Sequence, residues 1–295
     1  EQPGGNGEMM VPHMYWPEKE DCQNLNIWTP SIRDGRKRPV MVWLHGGGFS
    51  AGSSIEQLAY DGENLSRSGD VVVVSVNHRL NVLGYLDLSP FGEKYRDSAN
   101  AGNLDLIAAL EWIRDNIEGF GGDPENVTLF GQSGGGVKVW SLLQMPEADG
   151  LFHKGIIESG VVDPDLLGDA EDGNGREIVK AMLAELGLEE KDVDQLETLP
   201  YDQLAQAYEN AAPKVAQKGE YVGNHPHKNQ SYFGDAIKHG FREETKKIPL
   251  LIGTVLGEFD FGPAISGKYE FTRKEVEEKV SDALGEEGIE LIDEF

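Results

Sequence analysis

Short apolar runs alternate along this chain with stretches in which apolar residues recur every three or four positions. The runs occupy 24–30 (NLNIWTP), 39–48 (PVMVWLHGGG), 70–79 (DVVVVSVNHR), 126–133 (NVTLFGQS), 154–160 (KGIIESG) and 248–255 (IPLLIGTV). Most are continuous and rich in β-branched residues, which predicts strands buried on both faces of a parallel sheet. Between them, Leu106, Leu110, Ile113 and Ile117 follow Gly102 at helical spacing. Ile178, Met182 and Leu186 form another such stripe, and Gly187 is placed to end it. Strand, helix, strand, helix in this order predicts an open, mostly parallel, doubly wound α/β sheet.

The rhythm breaks between 163 and 247, where helical stretches and long acidic loops replace strands. This divides the chain into three parts: 1–162 as the first part of the α/β core, 163–247 as a helical and loop insertion, and 248–295 as a continuation of the core. The expected place for the insertion is over the C-terminal ends of the strands, where such sheets bind ligands. Thr272 and Glu275 form a capping-box pattern for a helix ending near Gly285. Beyond it, Ile289, Ile292 and Phe295 open a new apolar stripe. An end on an aromatic residue reads as an interrupted element, and the start lacks an initiator Met. The expectation is a chain truncated at both ends, whose exposed apolar surface favours self-association.

Charge narrows the partners. Against 26 Lys and Arg stand 52 Asp and Glu, for a formal net charge of −26. Such a surface repels phosphate backbones and anionic lipid, so neither nucleic acid nor membrane is an expected partner. No apolar run approaches the roughly 18 residues of a membrane span. The single cysteine, Cys22, has no internal disulfide partner, which suits a reducing, cytoplasmic setting.

The chemistry concentrates at two glycine-rich turns. In Gly131-Gln132-Ser133-Gly134-Gly135-Gly136, a G-x-S-x-G sequence follows the strand NVTLF directly and precedes the helical VKVWSLL. A strand–turn–helix context of this kind lifts a serine oxygen clear of the sheet edge as a nucleophile. A phosphate-binding loop is a near miss, because Val137 stands where its lysine must be. The second turn, His45-Gly46-Gly47-Gly48-Phe49, follows the strand PVMVW. Its glycines leave backbone N–H groups uncovered, as an oxyanion hole requires. A serine nucleophile needs a general base held by a carboxylate, in the chain order serine, acid, histidine. Glu258, just after IPLLIGTV, fits the acid, with Asp260 as the alternative. All seven histidines, His13, His45, His78, His153, His225, His227 and His239, precede Glu258. None can fill the last place, so no catalytic histidine is assigned in this chain. His225 and His227 form an H-x-H pair, but no third metal ligand accompanies them, and neither metal nor organic cofactor is expected.

Together these segments resemble the type-B carboxylesterase family, which includes cholinesterases and para-nitrobenzyl esterases. Glu20-Asp21-Cys22-Gln23-Asn24-Leu25-Asn26 is similar to the family's EDCLYLN signature, from which Gln23 and Asn24 depart. HGGGF, VNHRLNVLGYL, the elbow at Ser133, LFHKGIIESG and GTVLGEF follow in the family's order. The resemblance implies the α/β-hydrolase fold, here without the family's N-terminal β-segment and the C-terminal third that bears the histidine. It implies Ser133 as nucleophile, Glu258 as acid, and the N–H groups of Gly47, Gly48 and Gly134 as oxyanion donors. Gly134 stands where the family usually has alanine. The implied activity is hydrolysis of a small-molecule or carbohydrate ester (acetyl or feruloyl esters included) through an acyl-serine, weak or absent without the histidine. A non-catalytic binding protein on the same fold is the alternative, and a retained elbow serine argues against it.

Overall fold

The computed structural model describes residues 19–161, 173–255, 258 and 271–284. The chain forms two units, 1–253 and 254–295. In the first unit the elements run β1 (Asn24–Trp28), β2 (Arg38–Leu44), α1 (Glu63–Gly69), β3 (Val72–Asn77), α2 (Asn81–Tyr85), α3 (Ala101–Asn116), β4 (Gly122–Gln132), α4 (Gly134–Leu142), β5 (Lys154–Glu158), α5 (Arg176–Glu185), α6 (Tyr201–Ala216), α7 (Ala236–His239) and β6 (Leu250–Gly253). All six apolar runs become strands of one sheet, in the order β1-β3-β2-β4-β5-β6. Pairing is parallel from β3 through β6, and only β1 at the edge runs antiparallel.

The core explains this order. Val40, Val42 and Leu44 of β2, Val72, Val74 and Val76 of β3, and Val127 and Leu129 of β4 are all buried at the centre of the sheet. Leu106, Leu110 and Ile113 of α3 and Val139 and Leu142 of α4 pack against them in one cluster. β4 begins at Gly122, four residues before the run that predicted it, because Arg38 pairs with Gly122 and Val40 with Val127, with a bulge between. That irregularity carries Asp123, Pro124 and Glu125, which no sequence pattern marks as strand.

A second apolar cluster joins α5 and α6, through Ile178, Met182, Leu183 and Leu204, to Val82 of α2 and Leu86 and Tyr95 beyond it. Gly187 takes φ +72° just past α5, as the helix end requires. Asp105 of α3 fixes the segment before β1: Arg79 donates to it from Nε at 2.8 Å and from Nη2 at 2.6 Å, and Gln23 from Nε2 at 2.6 Å. In the second unit, α8 (Arg273–Leu284) starts at a capping box, with Thr272 N–H and Oγ1 both donating to Glu275 Oε2 at 2.7 Å. Ile289, Ile292 and Phe295 lie outside the described residues. No described helix is long and apolar enough to cross a membrane.

Candidate active site

β4 delivers the elbow. Its last residues are held on both sides, Gly131 opposite Leu44 of β2 and Gln132 opposite Glu158 of β5. The chain then reverses within one residue: Ser133 takes φ 54° and ψ −126°, and α4 starts at Gly134. A residue with a side chain is strained there by on the order of 1–3 kcal/mol. Two bonds offset the strain, from Ser133 N–H to Glu158 O at 2.8 Å and from Val137 N–H to Ser133 O at 3.0 Å.

The glycine triplet lies against this turn. Gly47 and Gly48 both take positive φ, +81° and +62°, which residues with a Cβ avoid. The N–H groups of Ser50 and Ala51 close the loop onto Gly47 O at 3.3 and 3.1 Å. A Cβ placed on Gly46 would stand 3.7 Å from the Ser133 Cβ. On Gly134 it would fall 2.3 Å from Gly48 N, and on Gly135 2.0 Å from Leu44 O. The backbone of Gly48 therefore occupies the place of the methyl group that an alanine at 134 would carry.

Polar groups are buried close to the loop. Lys138, in the second turn of α4, is 0% exposed, and its Nζ donates to the backbone oxygen of His45 at 2.9 Å. Desolvation drives its pKa down to about 7, partly opposed by Glu56. The His45 and His78 rings stack at 5.4 Å. Burial first, and then the charge of Lys138, hold both imidazoles well below the usual histidine value, so both are neutral. Each donates from Nδ1 to a backbone oxygen at 2.9 Å, His45 to Gly46 and His78 to Arg79. Each Nε2 is buried with no partner among the described residues.

The remaining histidines are engaged elsewhere. His153 Nδ1 accepts from Val127 N–H at 3.2 Å. His225 bonds the oxygen of Pro226 at 3.2 Å and meets the Tyr221 ring edge-on. His227 packs on the other contact of that ring, at 4.9 Å between centroids. His239 lies beside Lys228 at 3.4 Å. None of these bonds is to Ser133, and His13 lies outside the described residues. Among the described residues no group of three or more His, Cys, Asp or Glu is arranged to hold a metal ion.

Glu258 belongs to the second unit. It is exposed, takes φ 31°, and accepts the N–H of Val255 on Oε1 at 2.9 Å. Asp260 lies outside the described residues. A cavity of about 590 Å³ opens beside the glycine loop, lined by Cys22, Ser50, Gly52, His78, Asn81 and Tyr201 among others; Ser133 is not part of its lining. Lys138 is the residue that sequence reasoning passed over. Its one signal is a charge set inside the otherwise apolar helical stretch VKVWSLL.

Comparison with known proteins identifies the family and the fold. The chain is 40% identical over 251 residues to the para-nitrobenzyl esterase of Bacillus subtilis (strain 168), covering 82% of this chain and 48% of that protein. It is 37% identical to the phenmedipham hydrolase of Pseudarthrobacter oxydans, covering 75% of this chain and 42% of the relative. Among solved structures, an esterase from anaerobic Clostridium hathewayi, described as able to hydrolyze aliphatic aromatic polyesters, superposes with a TM-score of 0.85 at 54% identity. That match covers 96% of this chain and 56% of the solved one. A thermophilic para-nitrobenzyl esterase superposes with a TM-score of 0.70 at 35% identity, covering 94% of this chain and 56% of the other. The chain thus spans about half the length of the relatives it matches. Residues 2–290 match the carboxylesterase family, to which this α/β-hydrolase chain belongs.

Proposed function

We propose that the protein hydrolyses carboxylic esters through an acyl-serine intermediate on Ser133. One observation carries this reading: a serine held in strained backbone at the head of α4, with the glycine triplet packed against it. Ser133 Oγ attacks the ester carbonyl carbon, and its proton passes to a general base. The carbonyl oxygen becomes an oxyanion beside the N–H groups of Gly47, Gly48 and Gly134, each worth on the order of a hundred- to a thousandfold in rate. The C–O bond then breaks, the alcohol leaves with the proton from the base, and water releases the acid by the same steps in reverse.

Glu258 is the proposed carboxylate that orients the base. We place the base itself outside the seven histidines of these 295 residues, since all of them precede Glu258 in the chain. For substrates we extend to this chain the aromatic esters by which its relatives are described, para-nitrobenzyl esters and aliphatic aromatic polyesters.

The test is turnover of p-nitrophenyl and aromatic polyester substrates by the full-length protein, with and without Ser133→Ala. Loss of the nucleophile is expected to remove at least about a thousandfold of the rate. Equal turnover by the variant would sink the assignment.

A further inference from the structure

A lysine is chemically out of place inside the helix that begins at the candidate nucleophile. Lys138 is 0% exposed on a helix whose Val139, Trp140 and Leu142 belong to the apolar core. A methionine of similar length would fill the same space with no charge to desolvate, so packing alone does not call for a lysine. Burial pushes its pKa down to about 7, which shows how strongly the site disfavours the charge. The charge that acts on it from a neighbouring element is Glu56, in the loop beyond the glycines, and Lys138 in turn acts on His45 after β2 and His78 after β3.

What the side chain reaches explains its presence. Nζ donates to His45 O at 2.9 Å, across 93 positions of sequence. That oxygen belongs to the peptide unit whose N–H is that of Gly46, the first residue of the triplet. Holding the oxygen orients the plane of this peptide and so the direction in which the loop leaves β2. The other end of the contact is α4, whose first residue follows Ser133. One bond therefore ties the frame of the nucleophile to the root of the loop.

We propose that Lys138 is a positioning residue for the oxyanion loop: from the helix that starts at Ser133, it holds the His45 peptide and thereby sets the glycine triplet against the nucleophile. The proposal rests on reading Ser133 as nucleophile and Gly47, Gly48 and Gly134 as oxyanion donors, and it adds a residue that touches neither substrate nor reacting atoms.

The test uses the full-length protein and a p-nitrophenyl ester. In Lys138→Met, kcat is expected to fall roughly ten- to a hundredfold while KM stays within about twofold, because the oxyanion forms only after binding. The inhibition constant of an alkyl trifluoromethyl ketone, whose serine adduct places an oxyanion in the same hole, should rise by about the same factor as kcat falls. Partial unfolding would lower kcat through the active fraction but leave that inhibition constant unchanged, which would count against positioning. Should Lys138→Met fail to fold, the same two constants are read on Lys138→Leu. Unchanged kcat and inhibition in either folded variant overturns the proposal. Ser133→Ala separates the two readings. If it retains turnover, the underlying site assignment is wrong; if it is inactive while Lys138→Met is unaffected, only the positioning role fails.

Discussion

A lysine whose pKa is about 7 in the folded chain, against an ordinary value of 10.5, holds its proton more weakly folded than unfolded. Between those two values the unfolded chain binds a proton that the folded chain does not. Stability must then rise with pH across that window, by at most about 1.4 kcal/mol per pH unit. Below about pH 7 both states are protonated and the slope from this group vanishes. His45 and His78, also lowered, contribute only below the usual histidine value, so they leave the window clear. The expected outcome is that wild type gains on Lys138→Met as pH is raised from 7 to 9.5, measured by urea unfolding of both proteins. A difference that stays constant over that range would show that Lys138 keeps its charge in the fold. Residues of this kind are hard to read from sequence. Ser133 and the glycines announce themselves because a tight turn and positive φ restrict which residues can stand there. Lys138 obeys no local rule, and its meaning depends on a carbonyl 93 residues earlier in the chain.

At the scale of elements, the proposed site is a contact between two turns on neighbouring parallel strands. β2 and β4 pair from Val40 with Val127 to Leu44 with Gly131, so the turns that follow them must emerge side by side. That much was legible, since the strands are continuous apolar runs ending in glycine. The closeness of the approach was not. Gly134 stands where the family usually has alanine, yet Gly48 N and O would stand 2.3 and 2.6 Å from a Cβ there. Gly134→Ala should therefore push the glycine loop outward by some tenths of an ångström to about 1 Å. Misplacement on that scale costs up to about a hundredfold in rate. The expected result is a drop in kcat of about tenfold or more in the full-length protein, with the loop displaced in a crystal structure of the variant. Undiminished kcat would mean that the loop has slack and that Gly134 sets no distance. The far edge of the sheet shows the limit of sequence periodicity in another way. β6 reads as a buried run, but Leu251 and Ile252 are 66% and 46% exposed. Burial of a strand depends on what lies beside it, and apolar residues on an edge strand favour association.

For the molecule as a whole, the relevant facts are the span of the chain and the distribution of its titratable groups. It covers about half of each relative's length, and the proposed oxyanion loop, nucleophile and acid all fall within the chain. None of the seven histidines follows the proposed acid: His45 and His78 bond backbone oxygens, His153 accepts a backbone N–H, His225 and His227 meet the Tyr221 ring, and His239 lies beside Lys228. His45 and His78, whose rings stack on each other, are neutral and use Nδ1 on neighbouring carbonyls. A polypeptide of these 295 residues alone should therefore present a formed nucleophile and oxyanion loop but no base. Loss of the base from a serine site removes most of the rate, while oxyanion binding and positioning survive. The prediction is that this polypeptide turns over a p-nitrophenyl ester roughly a thousandfold or more slowly than the full-length protein. Ser133→Ala in the same polypeptide gives the background. Added imidazole should speed the shorter polypeptide more than its Ser133→Ala variant, because a free base can then accept the serine proton. If the 295 residues instead turn over at the full-length rate and lose that rate on Ser133→Ala, one of the seven histidines is the base, and the site must be reassigned around it.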